Sequence, residues 1–151
     1  MDNRLRLIPF EPYHLSLINC TRPEMKTVPG MIDLDDYGNK LKASGPAFSL
    51  FTINDEIIGS GGFGLYWPGV AEGWLMLSDS ADRFFFSIHK LVSHSIPTFM
   101  NSMKLRRLQI MIPSDSKRAF NWATRLGFIS EGLMTKYGPD GSDYYRMARF
   151  T

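Results

Sequence analysis

The sequence predicts a single α/β domain of the α+β kind, with the element order β-α-α-β-β-β-α-β-α-β-β. Two observations predict this class. Short apolar runs bounded by glycine and proline have the length of strands, and apolar residues at helical spacing predict the helices between them. The length of 151 residues suits one domain with one well-filled core, so residues 1–151 are predicted to form a single domain.

The chain begins with a predicted strand and two helices. In residues 4–10, leucines alternate with arginines, which is typical of a strand with one solvated face. Pro12 suits the first turn of a helix that carries leucines on its apolar side. Two prolines and a glycine make residues 21–30 a loop, and an acidic stretch in residues 32–36 starts a second helix.

Three strands follow in the middle of the chain. Residues 47–53 and 57–65 are two strands joined by a tight turn at 54–55, where Asn and Asp tolerate a positive φ. Four glycines in the second of these strands let another backbone or a ligand come close. Residues 73–77 are apolar at nearly every position, which predicts a central strand covered on both faces.

A long helix is predicted for residues 84–103. Its apolar residues recur at helical spacing: Phe85, Ile88, Val92, Ile96, Phe99 and Met103. Pro97 should kink this helix or end it early, because proline lacks a backbone N–H. Phe84 and Phe86 flank the core face of the helix, and we expect them to leave an exposed apolar patch that favours a homodimer.

The last third of the chain is the most informative part. A strand at 108–112 is followed by Ser114 or Asp115, either of which can cap a new helix. Gly127 stands where a left-handed helix end is expected, and residues 138–141 turn the chain between two final strands. The helix has one apolar stripe, formed by Ala119, Trp122, Ala123 and Leu126.

This segment resembles the C-terminal half of the GCN5-related N-acetyltransferase (GNAT) family, and the element order extends the resemblance to nearly the full chain. The matching residues are Leu126-Gly127-Phe128, Glu131-Gly132, Tyr137, Gly141 and Met147-Ala148-Arg149. The resemblance implies a mixed, mostly antiparallel sheet with helices on both faces. It also implies that the fourth and fifth strands, residues 73–77 and 108–112, splay apart.

The resemblance further implies that acetyl-coenzyme A lies in the opening between these strands. Its pantetheine would pair with the backbone of the fourth strand, at Leu75, Met76 and Leu77. Its pyrophosphate would rest on the start of the next helix, at Asp82, Arg83 and Phe84, where free N–H groups favour anions. Ser116, at the start of the last helix, is a further cofactor-binding candidate, although serine there also serves as a simple helix cap.

Two features depart from the family pattern. Residues 78–86 contain no glycine, whereas most members carry a glycine-rich phosphate loop there, and Asp79 and Asp82 would repel phosphates. Asp79 or Ser80 would instead cap the long helix. On the last helix Ala123 takes the place of a tyrosine that protonates the leaving thiolate in many members.

Glu72 is the candidate general base for an acceptor amine, because it directly precedes the central strand. The alternative is a solvated carboxylate at a strand end. Tyr137, on the final hairpin, is a second catalytic candidate that packing alone would also explain. His89 and His94 are predicted to be surface or packing residues. No spacing of potential ligand residues indicates a metal site.

The sequence therefore predicts an acetyl-coenzyme A-dependent N-acetyltransferase whose acceptor is an amine of a small molecule or a protein. The alternative is a non-catalytic GNAT-like protein, similar to those of tailed phages, with an assembly, virion-associated or binding role. The net charge of +2 is dispersed, which argues against nucleic acid, including the less favoured idea of a base-modifying enzyme. Without a signal peptide, a membrane-length apolar run or paired cysteines, the expected location is the cytoplasm, with Cys20 as a small buried thiol.

Overall fold

The structure, a computed structural model, describes residues 2–21 and 33–151. Its strands are β1 (Leu5–Pro9), β2 (Ala47–Thr52), β3 (Ile57–Trp67), β4 (Val70–Leu77), β5 (Arg107–Pro113), β6 (Ile129–Met134) and β7 (Tyr144–Phe150). Its helices are α1 (His14–Leu17), α2 (Leu34–Ser44), α3 (Phe85–Ser102) and α4 (Lys117–Arg125), with a 3₁₀ helix (Asp79–Phe84) before α3. Within these residues the predicted element order is confirmed. The loop predicted for residues 21–30 lies outside the described residues after Thr21.

The strands form one seven-stranded sheet in the order β1-β2-β3-β4-β5-β7-β6. Neighbouring strands are antiparallel, except β4 and β5, which run parallel. Parallel neighbours need a crossover, and α3 supplies it between β4 and β5. The mixed, mostly antiparallel sheet is therefore as predicted.

Helices cover both faces of this sheet. His14 of α1 hydrogen-bonds Ser49 of β2, whereas the next residue, Leu50, packs in a cluster with Ile88 of α3. Because successive strand residues point to opposite faces, α1 and α3 lie on opposite sides of the sheet. Helix α2 contacts α1 and β3. The largest buried cluster joins the sheet to α3 and α4, and contains Ala71, Ile96, Met100, Leu105, Leu108, Ala123, Leu126, Phe128 and Met147.

The sheet opens between β4 and β5. The two strands pair at only three positions, Val70 with Arg107, Ala71 with Leu108, and Glu72 with Gln109. Beyond Glu72, β4 stays paired with β3 up to Leu77, and β5 stays paired with β7 up to Pro113. Each strand is thus held by its outer neighbour while the two inner edges diverge, which confirms the predicted splay.

The α4 helix begins and ends on defined caps. The N-cap is Ser116, as the helix-cap alternative for this residue predicted, and not Ser114 or Asp115, because the Ser116 Oγ accepts a hydrogen bond from the Ala119 N–H at 3.2 Å. At the other end Gly127 has a φ of +90°, as expected for a left-handed helix end. The N–H of Gly127 donates to Thr124 and that of Phe128 to Ala123, the two bonds of a Schellman motif.

The long helix starts and ends differently from the prediction. Neither Asp79 nor Ser80 caps it: both Asp79 carboxylate oxygens accept hydrogen bonds from Thr21, and the Ser80 hydroxyl bonds that of Ser78. Pro97 does not end α3, which continues to Ser102. The loss of one backbone bond, about 3 kcal/mol with the accompanying clash, is offset by burial on either side of Pro97, at Ile96 and Met100.

The expected apolar patch on α3 is only half formed. Phe84 is 8% exposed and packs with Leu50 and Ile88, whereas Phe86 is 88% exposed. Phe84 is buried because it closes the 3₁₀ helix on the core side, a turn that the helical spacing did not indicate. The patch was therefore predicted wrongly at Phe84, and homodimerisation stays a prediction.

Replacing Gly127 by alanine should lower the free energy of unfolding by about 1–2 kcal/mol, because an L-residue is strained at positive φ. The nearest atoms to a new Cβ are on the Arg149 side chain at 3.5 Å, an ordinary contact, so the strain is conformational rather than steric. Urea denaturation measures the effect. The control Ser130→Ala, exposed on β6, should stay within about 0.5 kcal/mol of the wild type. Equal stabilities for the two variants would contradict this account of the helix end.

Candidate active site

Two cavities lie on opposite faces of the sheet at the opening. The first, of about 720 Å³, lies between the sheet and helices α3 and α4. The second, of about 550 Å³, lies on the side of α1 and α2. They share the lining residues Gly73, Trp74, Leu75, Met111 and Pro113, all from β4 and β5. The separation of these two strands therefore brings the two cavities together through the sheet.

The end of β4 contributes to both cavities. Leu77 lines only the first cavity, Met76 lines only the second, and Leu75 lines both, since successive strand residues point to opposite faces. The β4 residues beyond Glu72 have no ladder partner on β5. An exposed strand edge of this kind offers backbone N–H and C=O groups to an extended, amide-containing ligand such as pantetheine. This edge and the largely apolar cavity beside it fit the chain portion of coenzyme A.

Of the other predicted cofactor-binding residues, only Asp82 lines the first cavity. Asp82 lines the first cavity and forms an ion pair with Arg118, which also lines it. Arg83 pairs instead with Glu56 at 2.6 Å, and Phe84 is in the core. Ser116 is buried and caps α4. The side chains of Arg83, Phe84 and Ser116 line neither cavity.

Backbone N–H groups at the predicted phosphate end already donate hydrogen bonds within the protein. The N–H of Ser78 donates to Ile58, that of Asp79 to Asn19, and that of Ala81 to Ser78, at 2.9–3.1 Å. These are N–H groups of the type that a glycine-rich loop would direct at phosphates. The Arg118 side chain places a cation at this end of the cavity, and Asp82 pairs with its charge.

Glu72 lies in the second cavity, at the last β4–β5 pair before the strands separate. Burial raises the pKa of its carboxyl group, although hydrogen bonds from Tyr66 and Gln109 and the charge of Arg146 oppose the rise. Oε1 of Glu72 is buried and has no hydrogen-bond partner within residues 2–21 and 33–151. The position is inside β4 rather than at a strand end, so the solvated alternative does not describe it.

Tyrosines surround this carboxylate. Tyr37, Tyr66, Tyr137 and Tyr144 all line the second cavity. Burial raises the pKa of Tyr37, Tyr66 and Tyr137, and the negative charge of Glu72 raises each further. These phenols are therefore neutral hydrogen-bond donors near pH 7.

The two predicted catalytic residues, Glu72 and Tyr137, thus line the same cavity. Sequence reasoning missed three of their neighbours, Tyr37, Tyr66 and Arg146. The predicted strand ends at residue 65, but β3 extends to Trp67 and therefore includes Tyr66. The available signal for Arg146 was strand alternation, which places it two residues from Tyr144 on β7.

Buried side-chain polar atoms that lack hydrogen-bond partners gather around this cavity. In the part of the chain that the structure describes they are Glu72 Oε1, Trp74 Nε1 and Arg146 Nε. Glu72 and Trp74 line the cavity, and Arg146 is close enough to influence the pKa of Glu72. Because buried polar atoms in folded proteins are normally paired, such a concentration is typical of a ligand site.

The two histidines and the cysteine considered from the sequence lie in the following environments. His89 Nδ1 accepts a hydrogen bond from Trp122 Nε1 at 2.9 Å, and His94 is exposed. Cys20 is only partly buried and lines the second cavity, where the sequence had indicated a buried thiol. No cluster of three His, Cys, Asp or Glu side chains suited to a metal ion occurs in the described residues. Likewise, none of the described helices has the length and apolar character needed to cross a membrane.

No family model matches the chain, and no curated protein matches it by sequence. Several solved structures do match the chain. Spermidine N-acetyltransferase from Vibrio cholerae, in complex with CoA and spermine, has a TM-score of 0.73 at 15% identity, covering 99% of this chain and 96% of that one. A GNAT-family acetyltransferase from Bacillus anthracis has a TM-score of 0.72 at 18% identity, with coverages of 97% and 95%. A protein assigned as a phosphinothricin N-acetyltransferase has a TM-score of 0.75 at 13% identity, with coverages of 97% and 98%. The chain therefore has the GNAT fold.

The raised pKa of Glu72 has a consequence for stability. A carboxyl group whose pKa is higher in the folded protein favours folding below its unfolded pKa of about 4.3 and loses that contribution as the pH rises through the folded value. Glu72→Gln should therefore be more stable than the wild type at pH 7, and the difference should shrink toward pH 4. Urea denaturation at the two pH values measures it.

Glu131→Gln is a control for which the opposite change in stability is expected. Its ion pair with Arg107 lowers its pKa, so its carboxylate stabilises the fold above the unfolded pKa and loses this effect as the pH falls. Glu131→Gln should be less stable than the wild type at pH 7. A Glu72→Gln protein that behaves like Glu131→Gln would contradict the environment described for Glu72.

Proposed function

We propose that this protein is an N-acetyltransferase of the GNAT type, which transfers the acyl group of acetyl-coenzyme A to an amine by direct attack. One observation carries the proposal: the β4–β5 opening joins two cavities, and Glu72, a half-buried carboxylate whose Oε1 is fully buried, lines only the second of them. A two-substrate transfer needs this arrangement, since donor and acceptor must meet in a fixed orientation. The GNAT fold of the chain and the spermidine N-acetyltransferase among its neighbours support the proposal.

The donor side is the first cavity. Leu75 and Leu77 and the exposed edge of β4 would hold the extended part of coenzyme A, and Arg118, which lines this cavity, is the cation that we propose for the phosphates. When bound, acetyl-coenzyme A supplies an acyl thioester. The role of this chain is to orient that group at the opening and to exclude water with the apolar lining.

Glu72 is the residue that we propose as general base. An acceptor amine is protonated near pH 7 and must lose a proton before it can attack. Tyr66 and Gln109 hydrogen-bond the Glu72 carboxylate, and its Oε1 remains as an acceptor for an ammonium N–H. The raised pKa of Glu72 brings its basicity closer to the working pH, which favours proton transfer.

Tyr137 is the second residue that we propose for the reaction. It lines the same cavity and is neutral near pH 7, so its hydroxyl can both accept from and donate to the bound amine. Ala123, at the position where many GNAT enzymes carry a tyrosine, is buried in the main core and has no proton to donate. Protonation of the leaving thiolate would then depend on water or on a tyrosine of the cavity.

A second candidate function is a non-catalytic binding or assembly role on the same fold. The observation that favours it is the engagement of the Ser78, Asp79 and Ala81 N–H groups inside the protein. A site that has lost its phosphate donors would bind coenzyme A weakly. The cytoplasm stays the expected location under either function.

Glu72→Gln tests the catalytic proposal. Glutamine keeps the shape of the side chain but not its basicity, so turnover of a panel of amines should fall about 100- to 10,000-fold, while acetyl-coenzyme A affinity should be unchanged. Thiol release measures turnover, and calorimetry measures affinity. Glu56→Gln, which breaks a surface pair with Arg83, should keep wild-type turnover.

Two results would count against this proposal. Unimpaired turnover of Glu72→Gln at every pH would move the base to water or to a tyrosine. A wild-type protein that neither binds acetyl-coenzyme A nor acetylates any amine in the panel would favour the non-catalytic role.

A further inference from the structure

The charge of the second cavity limits what can bind there. Among its lining residues in the described part of the chain, Glu72 is the sole carboxylate and Lys40 the sole cationic side chain. Lys40 is exposed and paired with Asp36 at 2.9 Å, so it adds little net charge. As far as residues 2–21 and 33–151 line it, the buried part of the cavity thus offers one anionic group, Glu72.

Helix α2 contributes an apolar face to this cavity. Leu34, Tyr37 and Leu41 line it and follow the i, i+3, i+7 spacing of one helix face. The acidic residues of the same helix, Asp35 and Asp36, are exposed and do not line the cavity. The helix that faces the proposed acceptor therefore presents leucine and tyrosine side chains, not carboxylates.

The surroundings of Glu72 suit one cation and disfavour a second. Aromatic rings attract an ammonium group through their π faces and also contact apolar carbon chains well. The rings on this cavity are Tyr37, Tyr66, Trp74, Tyr137 and Tyr144. Arg146 lies close enough to lower the pKa of Glu72, and its positive charge raises the cost of a second ammonium group nearby.

We propose that the acceptor is a primary amine on an apolar and otherwise uncharged body, an alkyl or arylalkyl monoamine, and not a polyamine. The inference rests on the proposed function, because it names the acceptor of the same site. One ammonium group pairs with Glu72, and the body of the amine packs on the tyrosines and on Leu34 and Leu41. A second ammonium in this cavity would have no carboxylate partner among the described lining residues, and burying it unpaired is costly. The solved neighbour that holds spermine thus shares the fold, but this chain takes a different class of amine.

A matched pair of amines tests the proposal directly. Hexylamine and 1,6-diaminohexane have the same chain length and differ in one terminal ammonium group. With the wild-type protein and acetyl-coenzyme A, kcat/KM for hexylamine should exceed that for 1,6-diaminohexane by at least about tenfold, since the second charge is not paired. Thiol release measures both rates, and spermidine should be a worse substrate still.

A binding measurement separates this proposal from the proposed function. Thermal shift without acetyl-coenzyme A should show stabilisation by hexylamine at concentrations where 1,6-diaminohexane has no effect. If hexylamine binds selectively and is not acetylated, the catalytic proposal fails, and the proposed class of amine stands for the ligand of this cavity. If neither amine binds, or if the diamine binds or reacts as well as hexylamine, the acceptor class is overturned.

Leu41→Glu adds a carboxylate to the apolar face of α2, and Leu41→Gln is its uncharged match. Leu41→Glu should shift the kcat/KM ratio toward 1,6-diaminohexane by about tenfold, because the second ammonium gains a partner. Leu41→Gln should keep the wild-type ratio even if both rates fall. A shift of the ratio in Leu41→Gln as large as in Leu41→Glu would show that charge is not the selecting property and would contradict the proposal.

Discussion

The separation of β4 from β5 after the Glu72–Gln109 pair is the constraint on which the rest of the structure depends. A continuous ladder between these strands would close the sheet, and the two cavities would then be isolated on opposite faces. The strands can diverge because each remains paired along its other edge, β4 with β3 and β5 with β7. The backbone groups left without ladder partners cost stability in a sheet unless a ligand or solvent satisfies them. The opening is thus both a local loss of pairing and the feature that favours a binding function.

The surroundings of Glu72 follow from its place at the end of the ladder. A residue one step earlier would face the main core, as Ala71 does, and a residue one step later would lie beyond the last β4–β5 pair. At position 72 the carboxylate is within the sheet, receives hydrogen bonds from Tyr66 and Gln109, and is still part of a cavity wall. Its burial and the unpaired polar atoms nearby reduce stability locally. Such local costs are typical of functional sites, where residues are held for chemistry rather than for packing.

The sequence predicted those parts of the fold that depend on neighbours along the chain. The turn after β2, with Asp55 at a φ of 65°, and the left-handed residue Gly127 are local preferences of single residues. The start of α3 was predicted wrongly, because the hydrogen bonds between Asp79 and Thr21 join segments 58 residues apart. The candidate site likewise combines residues that the sequence indicated with residues that only long-range packing brings together. Glu72 and Tyr137 were candidates through the family resemblance, whereas Tyr37 joins them only after α2 has packed against the sheet. Spacing along the chain contains no information on that packing.

The central claim, that the β4–β5 opening is the acetyl-coenzyme A site, is tested most directly by thermal shift during an acetyl-coenzyme A titration. Binding to the folded state alone should stabilise the protein by about 2.7 kcal/mol at 100 times the dissociation constant. The matched variant is Gly73→Val, which places methyl groups in the opening, since even a Cβ at Gly73 would lie 3.3 Å from Ile110 Cγ2. We predict a saturable upward shift for the wild type and none for Gly73→Val. No shift at millimolar acetyl-coenzyme A, or an equal shift in both proteins, would contradict the claim.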